Sequence, residues 1–116
     1  MSIKRIQSGP RMSQAVVHGN TVYLAGQVAG DPVPSVTEQT KQILATIDGL
    51  LAEAGTDKTK LLSATIYLKD IAGFGEMNAV WDGWVAPGAS PARATVEAGL
   101  ARPPLLVEIM VTAAID

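Results

Sequence analysis

One arginine and one carboxylate stand out in the stretch from Ser90 to Ile115, SPARATVEAGLARPPLLVEIMVTAAI. Arginine offers a planar fork that matches a carboxylate with two parallel hydrogen bonds. A glutamate in apolar surroundings can take a proton from water, or return one. Ala92, Ala94 and Val96 alternate with Arg93, Thr95 and Glu97, so a strand here puts Arg93 and Thr95 on one face. Further on, Glu108 shares a face with Leu106 and Met110, while Val107, Ile109 and Val111 fill the other. Both faces read as buried, and a carboxylate there is costly without a partner. The intervening Gly/Pro-containing segment reads as a turn centred near Ala101, making the two runs a hairpin with Thr95 opposite Glu108 and Arg93 on the diagonal. Two interpretations fit this spacing: an Arg93–Glu108 ion pair that holds two strands in register, or a site in which Arg93 grips a ligand carboxylate while Glu108 handles water or a proton.

The remaining chemistry is narrow. The chain has no Gly-x-Ser-x-Gly, no P-loop and no dinucleotide-binding glycine pattern after a strand. It has no cysteine, hence no thiolate nucleophile, disulfide or cysteine-based metal site. The single histidine, His18, lies beside a Gly19-Asn20 turn and reads as a solvent-facing hairpin residue. No metal site is expected. With a net charge of −2 and no Lys/Arg cluster, the chain lacks the basic groove that phosphate tracking requires, so no nucleic-acid partner is expected. No run approaches the length of a membrane span and no early apolar stretch resembles a signal peptide, so a soluble, cytoplasmic protein is expected.

The elements that must position these residues follow from periodicity. Ile3 to Ser8 is a polar-flanked run suited to an edge strand, ended by Gly9-Pro10. Ala15 to His18 and Thr21 to Ala25 flank Gly19-Asn20 as a tight hairpin. Gly26 to Pro34 is too rich in glycine and proline to be regular, and Gly26 at a strand end lets a ligand approach the backbone. Ser35 and Glu38 have capping-box spacing; Val36, Thr40, Ile43, Ile47, Leu50 and Ala54 repeat at helical spacing, and Gly55 is a C-terminal stop. Leu62 to Leu68 reads as a central strand. A second helix is expected from a cap at Asp70 through Val85, with Asn78 near its apolar face.

Two amphipathic helices and about six strands in 116 residues make one domain, residues 1–116, with a mixed sheet and both helices on one face. The sheet's other face also carries apolar residues, and the chain is 47% hydrophobic and only 17% charged. With no further helix to cover that face, other subunits are expected to do so.

Taken together, Gly9-Pro10 with Ser13 to Val16, Gly26-Gln27, Gln39-Thr40, Asn78-Ala79, Pro91-Ala92-Arg93 and Val107-Glu108-Ile109 resemble the RidA family, also called YjgF/YER057c/UK114. The Leu-Leu-Ser-Ala-Thr-Ile-Tyr-Leu run and the Trp-Asp-x-Trp helix look closest to its YoaB-like branch. The resemblance spans essentially the whole chain. It implies an α+β, chorismate-mutase-like fold and a homotrimer whose three sheets form an inner barrel-like core, with a site in each subunit cleft. It also implies cofactor-free imine/enamine deaminase activity, in which 2-imino acids derived from 2-aminoacrylate are hydrolysed to 2-keto acids and ammonia. Residue by residue, Arg93 matches the arginine that grips the substrate carboxylate and Glu108 the glutamate associated with the attacking water. Gly26 and Thr95 fall where the family presents backbone groups to the ligand, and Asn78 matches an asparagine near the site. The pattern is broken at two places: a tyrosine after the Gly-Pro and a serine before the Gly-Gln are replaced here by Arg11-Met12 and Ala25. Each lost hydroxyl removes a hydrogen bond worth about 0.5–1.5 kcal/mol. A non-catalytic trimeric binder of a small carboxylate metabolite is therefore the alternative to the deaminase.

Overall fold

The computed structural model describes residues 2–116. The first long apolar stripe folds as helix α1 (Val36–Glu53), started as its capping residues require: the Ser35 side chain accepts from the Glu38 N–H at 3.1 Å. Gly55, at φ +90, ends it in a conformation that disfavours side-chain-bearing residues. Its inner stripe of Gln39, Thr40, Ile43, Leu44, Ile47, Leu50 and Leu51 is buried.

Six strands form one sheet: β1 (Ile3–Ser8), β2 (Ser13–His18), β3 (Thr21–Leu24), β4 (Leu61–Leu68), β5 (Ala92–Glu97) and β6 (Val107–Ala114), in the order β1-β2-β3-β6-β4-β5. All neighbours are antiparallel except β4 and β5, which run parallel. Gly19 takes φ +62 at the first corner of the β2–β3 turn, where a two-residue hairpin favours glycine. Val22, Leu24, Ala64, Ile66, Leu68, Val107, Ile109 and Val111 bury one sheet face beneath α1 and helix α2 (Phe74–Trp84), with Met77 and Trp81 supplied by α2. The sheet's opposite face leaves Tyr23, Met110 and Val96 at 49%, 40% and 42% exposure.

Two expectations are corrected. The β5 and β6 runs do not pair: β4 lies between them, in register with β5 on one side and β6 on the other. The reason is the crossover through α2, which returns the chain parallel to β4 and so places β5 at the sheet edge. The long segment from residue 98 to 106 then carries the chain back across β4 to β6. Second, Asp70 caps only a single 3₁₀ turn, Ile71–Gly73, by accepting from the Ala72 N–H at 2.9 Å. The α-helix itself begins at Phe74 behind Gly73, which provides no side-chain cap. Gly73 and Gly75 weaken helix formation at this end.

Candidate functional site

The interposed strand decides where the candidate side chains go. Glu108 is the register partner of Tyr67 on β4, and Tyr67 that of Val96 on β5. Arg93 and Thr95 instead align with Ala64 and Ile66, which lie on the helix-covered face. Glu108 and Arg93 therefore project from opposite faces of the sheet, two strands apart and three residues out of register, roughly 10 Å across the strands and about 10 Å along them. This overturns both a diagonal Arg93–Glu108 contact and the placement of Thr95 opposite Glu108. Among the described residues the only ion pair is Lys41–Glu38, so neither Arg93 nor Glu108 is consumed by a salt bridge.

The Glu108 side is built by an irregularity between β3 and β6. Tyr23 pairs with Thr112, and Gln27 exchanges backbone hydrogen bonds with Ile109 at 2.8 and 3.0 Å. Three residues, Leu24, Ala25 and Gly26, thus face two, Met110 and Val111. That is a bulge, and it redirects the chain at Gly26. A Cβ on Gly26 would collide with the Glu108 carboxylate and lie 3.0 Å from its Cδ, so only glycine leaves room for the acid group. Gln27 secures the bulge: its Nε2 donates to Gln14 Oε1 and to the Ala25 carbonyl, both at 2.9 Å. Met12, 47% exposed, leads into β2, and its carbonyl accepts from the Gly9 N–H at 2.8 Å. On the other flank of Glu108, a cavity of about 240 Å³ is lined by Tyr67, Ala98, Gly99, Leu100, Glu108 and Met110.

The segment leading into β6 is held by a buried amide. Gln39 Nε2 donates to the carbonyls of Val33 (2.8 Å) and Pro104 (3.0 Å), and its Oε1 accepts from the Leu106 N–H at 2.9 Å. One side chain on α1 thereby ties the irregular segment after Gly26 to the start of the Glu108 strand.

The Arg93 side lies at the sheet edge against α2. The guanidinium sits 5.2 Å from the centroid of the Trp81 ring, a stacking that restrains the fork without neutralising its charge. Two residues along the same face, the Thr95 hydroxyl is buried and has no hydrogen-bond partner. Such a group is normally satisfied, and an incoming polar atom would satisfy it. Asn78 lies one helical turn before Trp81 on α2 and is half-buried. Glu97, at the end of β5, accepts from the Ile71 N–H at 2.9 Å and thus serves the turn before α2.

The structure groups Ala25, Gly26 and Glu108 at the bulge, and Asn78, Arg93 and Thr95 where β5 meets α2, while Met12 lies exposed at the entry to β2. Sequence reasoning passed over Tyr67, because its proximity to Glu108 depends on a pairing between distant strands. Trp81 is missed as well, because an aromatic at helical spacing carries no sign that an arginine will stack on it. Gln27 and Gln39 enter the sequence reading only through the family resemblance, although Gln39 falls on the helical stripe of Val36, Thr40 and Ile43. His18 is exposed at the hairpin end, as expected. Among the described residues no group of histidine, aspartate and glutamate side chains is arranged to hold a metal ion, and no helix is long and apolar enough to cross a membrane.

Comparison with known proteins accounts for the whole of this architecture. The family model described as Endoribonuclease L-PSP matches residues 2–115. A RutC family protein of Haemophilus ducreyi is 46% identical over 114 residues, covering 98% of this chain and 97% of the relative. The RutC family protein YoaB of Escherichia coli is 44% identical over 115 residues, covering 99% and 100%. Among solved structures, a YjgF-family protein from Neisseria meningitidis superposes with a TM-score of 0.97 at 47% identity, covering 100% of this chain and 97% of the other. With its α+β fold, its sheet order and these relatives in agreement, the chain belongs to the RidA (YjgF) family, as a YoaB-like member.

Proposed function

We propose that this protein is an enamine/imine deaminase that hydrolyses reactive 2-imino acids, such as those derived from 2-aminoacrylate, to 2-keto acids and ammonia. The observation that carries this reading is the pairing of two uncommitted groups: a guanidinium stacked on Trp81 with no carboxylate partner, and a carboxylate seated over Gly26 with no cation. Because they lie on opposite faces, one chain cannot bring both to one small substrate. Two subunits can, if the Arg93 edge of one meets the Glu108 face of another. The exposed Tyr23, Met110 and Val96 on that face supply apolar area for such a contact, and a homotrimer closes it with three equivalent clefts.

In this arrangement Arg93 binds the substrate carboxylate through its two-pronged fork, and the Thr95 hydroxyl gains a polar partner. Glu108 accepts a proton from water as the water oxygen attacks the imine carbon, giving a carbinolamine. That proton passes from Glu108 to the carbinolamine nitrogen; the C–N bond then breaks as the hydroxyl gives its proton back to Glu108, releasing ammonia and forming the carbonyl of the 2-keto acid, the imine having entered protonated on nitrogen. No cofactor enters this sequence.

A second reading, a non-catalytic binder of a small carboxylate, is favoured by Met12 and Ala25, which bring no hydroxyl to the Glu108 side. The name of the matching family model raises RNA cleavage as a third, but a net charge of −2 and pI of about 5.3 weigh against an RNA-binding surface. The decisive experiment generates 2-iminopropionate in a coupled assay and follows release of pyruvate and ammonia. Acceleration over buffer, abolished by Arg93→Ala, is expected. Folded protein that binds 2-oxobutanoate without accelerating hydrolysis would establish the binder instead.

A further inference from the structure

Glu108 has a neighbour whose chemistry the hydrolysis above does not use. Tyr67 is its register partner across the antiparallel β4–β6 pair, and directly opposed side chains on one sheet face have Cβ atoms about 4.5–5.5 Å apart. Both line the same cavity of about 240 Å³, whose other lining residues are Ala98, Gly99, Leu100 and Met110. Tyr67 and Glu108 are thus the only two polar side chains in that wall, and no other titratable group lines it. On the far side of the carboxylate stands Gly26, which has no side chain to contribute. Strand β4 places Ile66 and Leu68 in the core and turns Tyr67 the other way, half-buried. Apolar packing alone would be met by phenylalanine at this position, so the hydroxyl is the feature that needs a use.

We propose that Tyr67 is a positioning residue of the Glu108 site, its phenol and the carboxylate together holding the water that attacks the imine. The water donates one hydrogen bond to Glu108 and accepts one from the Tyr67 hydroxyl, which aims an oxygen lone pair out of the sheet toward the substrate. When the water attacks, its proton goes to Glu108 and the Tyr67 proton stays in place, so the phenol orients without being consumed. This places near the carboxylate a hydroxyl that neither Met12 nor Ala25 provides. The inference rests on the deaminase reading for its catalytic consequence, though not for the contact itself.

The test is Tyr67→Phe in the full chain, which keeps the ring and removes only the oxygen. The expected result is a kcat lowered about tenfold, with KM within twofold and an unchanged thermal midpoint. In a Glu108→Gln background the same substitution should have no further effect. Unchanged kcat, or a kcat loss that tracks a lowered thermal midpoint, overturns the proposal. Should the wild-type protein prove inactive, the deaminase reading falls and the contact is judged by a high-resolution crystal structure of the wild type. An ordered water hydrogen-bonded to both the Tyr67 hydroxyl and the Glu108 carboxylate sustains the contact, and a site without one overturns it.

Discussion

Two residues carry the strongest demands on geometry. Arg93 matters for the shape of its cation as much as for its charge. Arg93→Lys keeps the charge but replaces the fork with a point cation and gives up the planar stacking on Trp81. Losing one charge-assisted hydrogen bond, worth about 1.5–3 kcal/mol, should weaken binding of 2-oxobutanoate at least tenfold by isothermal titration calorimetry. Gly26 makes the complementary demand. In Gly26→Ala the new methyl meets the flexible end of Glu108, so the carboxylate swings aside at a stability cost under about 1 kcal/mol. The position that the proposed hydrolysis requires of Glu108 is lost, and displacements of this size can reduce rates about 10²-fold. Unfolding and turnover measured on the same preparation should therefore diverge, with a nearly unchanged denaturation midpoint and a collapsed kcat.

At the scale of elements, the Glu108 strand is positioned by α1 through one buried amide. Gln39 is fully buried and makes three hydrogen bonds to otherwise irregular backbone, at Val33, Pro104 and Leu106. Gln39→Ala strands those groups away from water and should cost about 2–4 kcal/mol, since each unsatisfied buried group costs about 1–3 kcal/mol and some will recover a partner. Urea unfolding checks the loss. The helix itself was legible from the sequence, from its serine cap to its closing glycine, because its signals are local. The last two strands were legible as strands but not as neighbours. Two β runs joined by a glycine- and proline-containing segment match a hairpin and an interrupted pair equally well, and the choice rested on where α2 returned the chain.

At the scale of the molecule, one face of the sheet is closed by two helices while the other presents Tyr23, Val96 and Met110 to solvent. A charge-poor chain with such a face is expected to associate. Tyr23→Asp lies on β3, away from Arg93 and outside the lining of the Glu108 cavity, and puts a charge where an apolar contact is proposed. Light scattering on the eluting peak should give three times the 12.1 kDa chain mass for the wild type and a smaller species for the variant. If the cleft needs two subunits, hydrolysis should fall with the trimer, and restoring association at high protein concentration should restore it.

The sequence by itself determined the periodic elements, the lack of cysteine and of a basic groove, and the choice of Arg93 and Glu108 as the candidate site residues. These are written in local spacing and residue type. Tertiary structure alone decided how they relate, because side-chain facing in a sheet depends on which strands pair and in what register. Inserting β4 between β5 and β6 sends Arg93 to the helix-covered face beside Trp81 and Glu108 to the open face between Gly26 and Tyr67. A pair that spacing placed in contact is thereby divided, leaving each group free for a ligand.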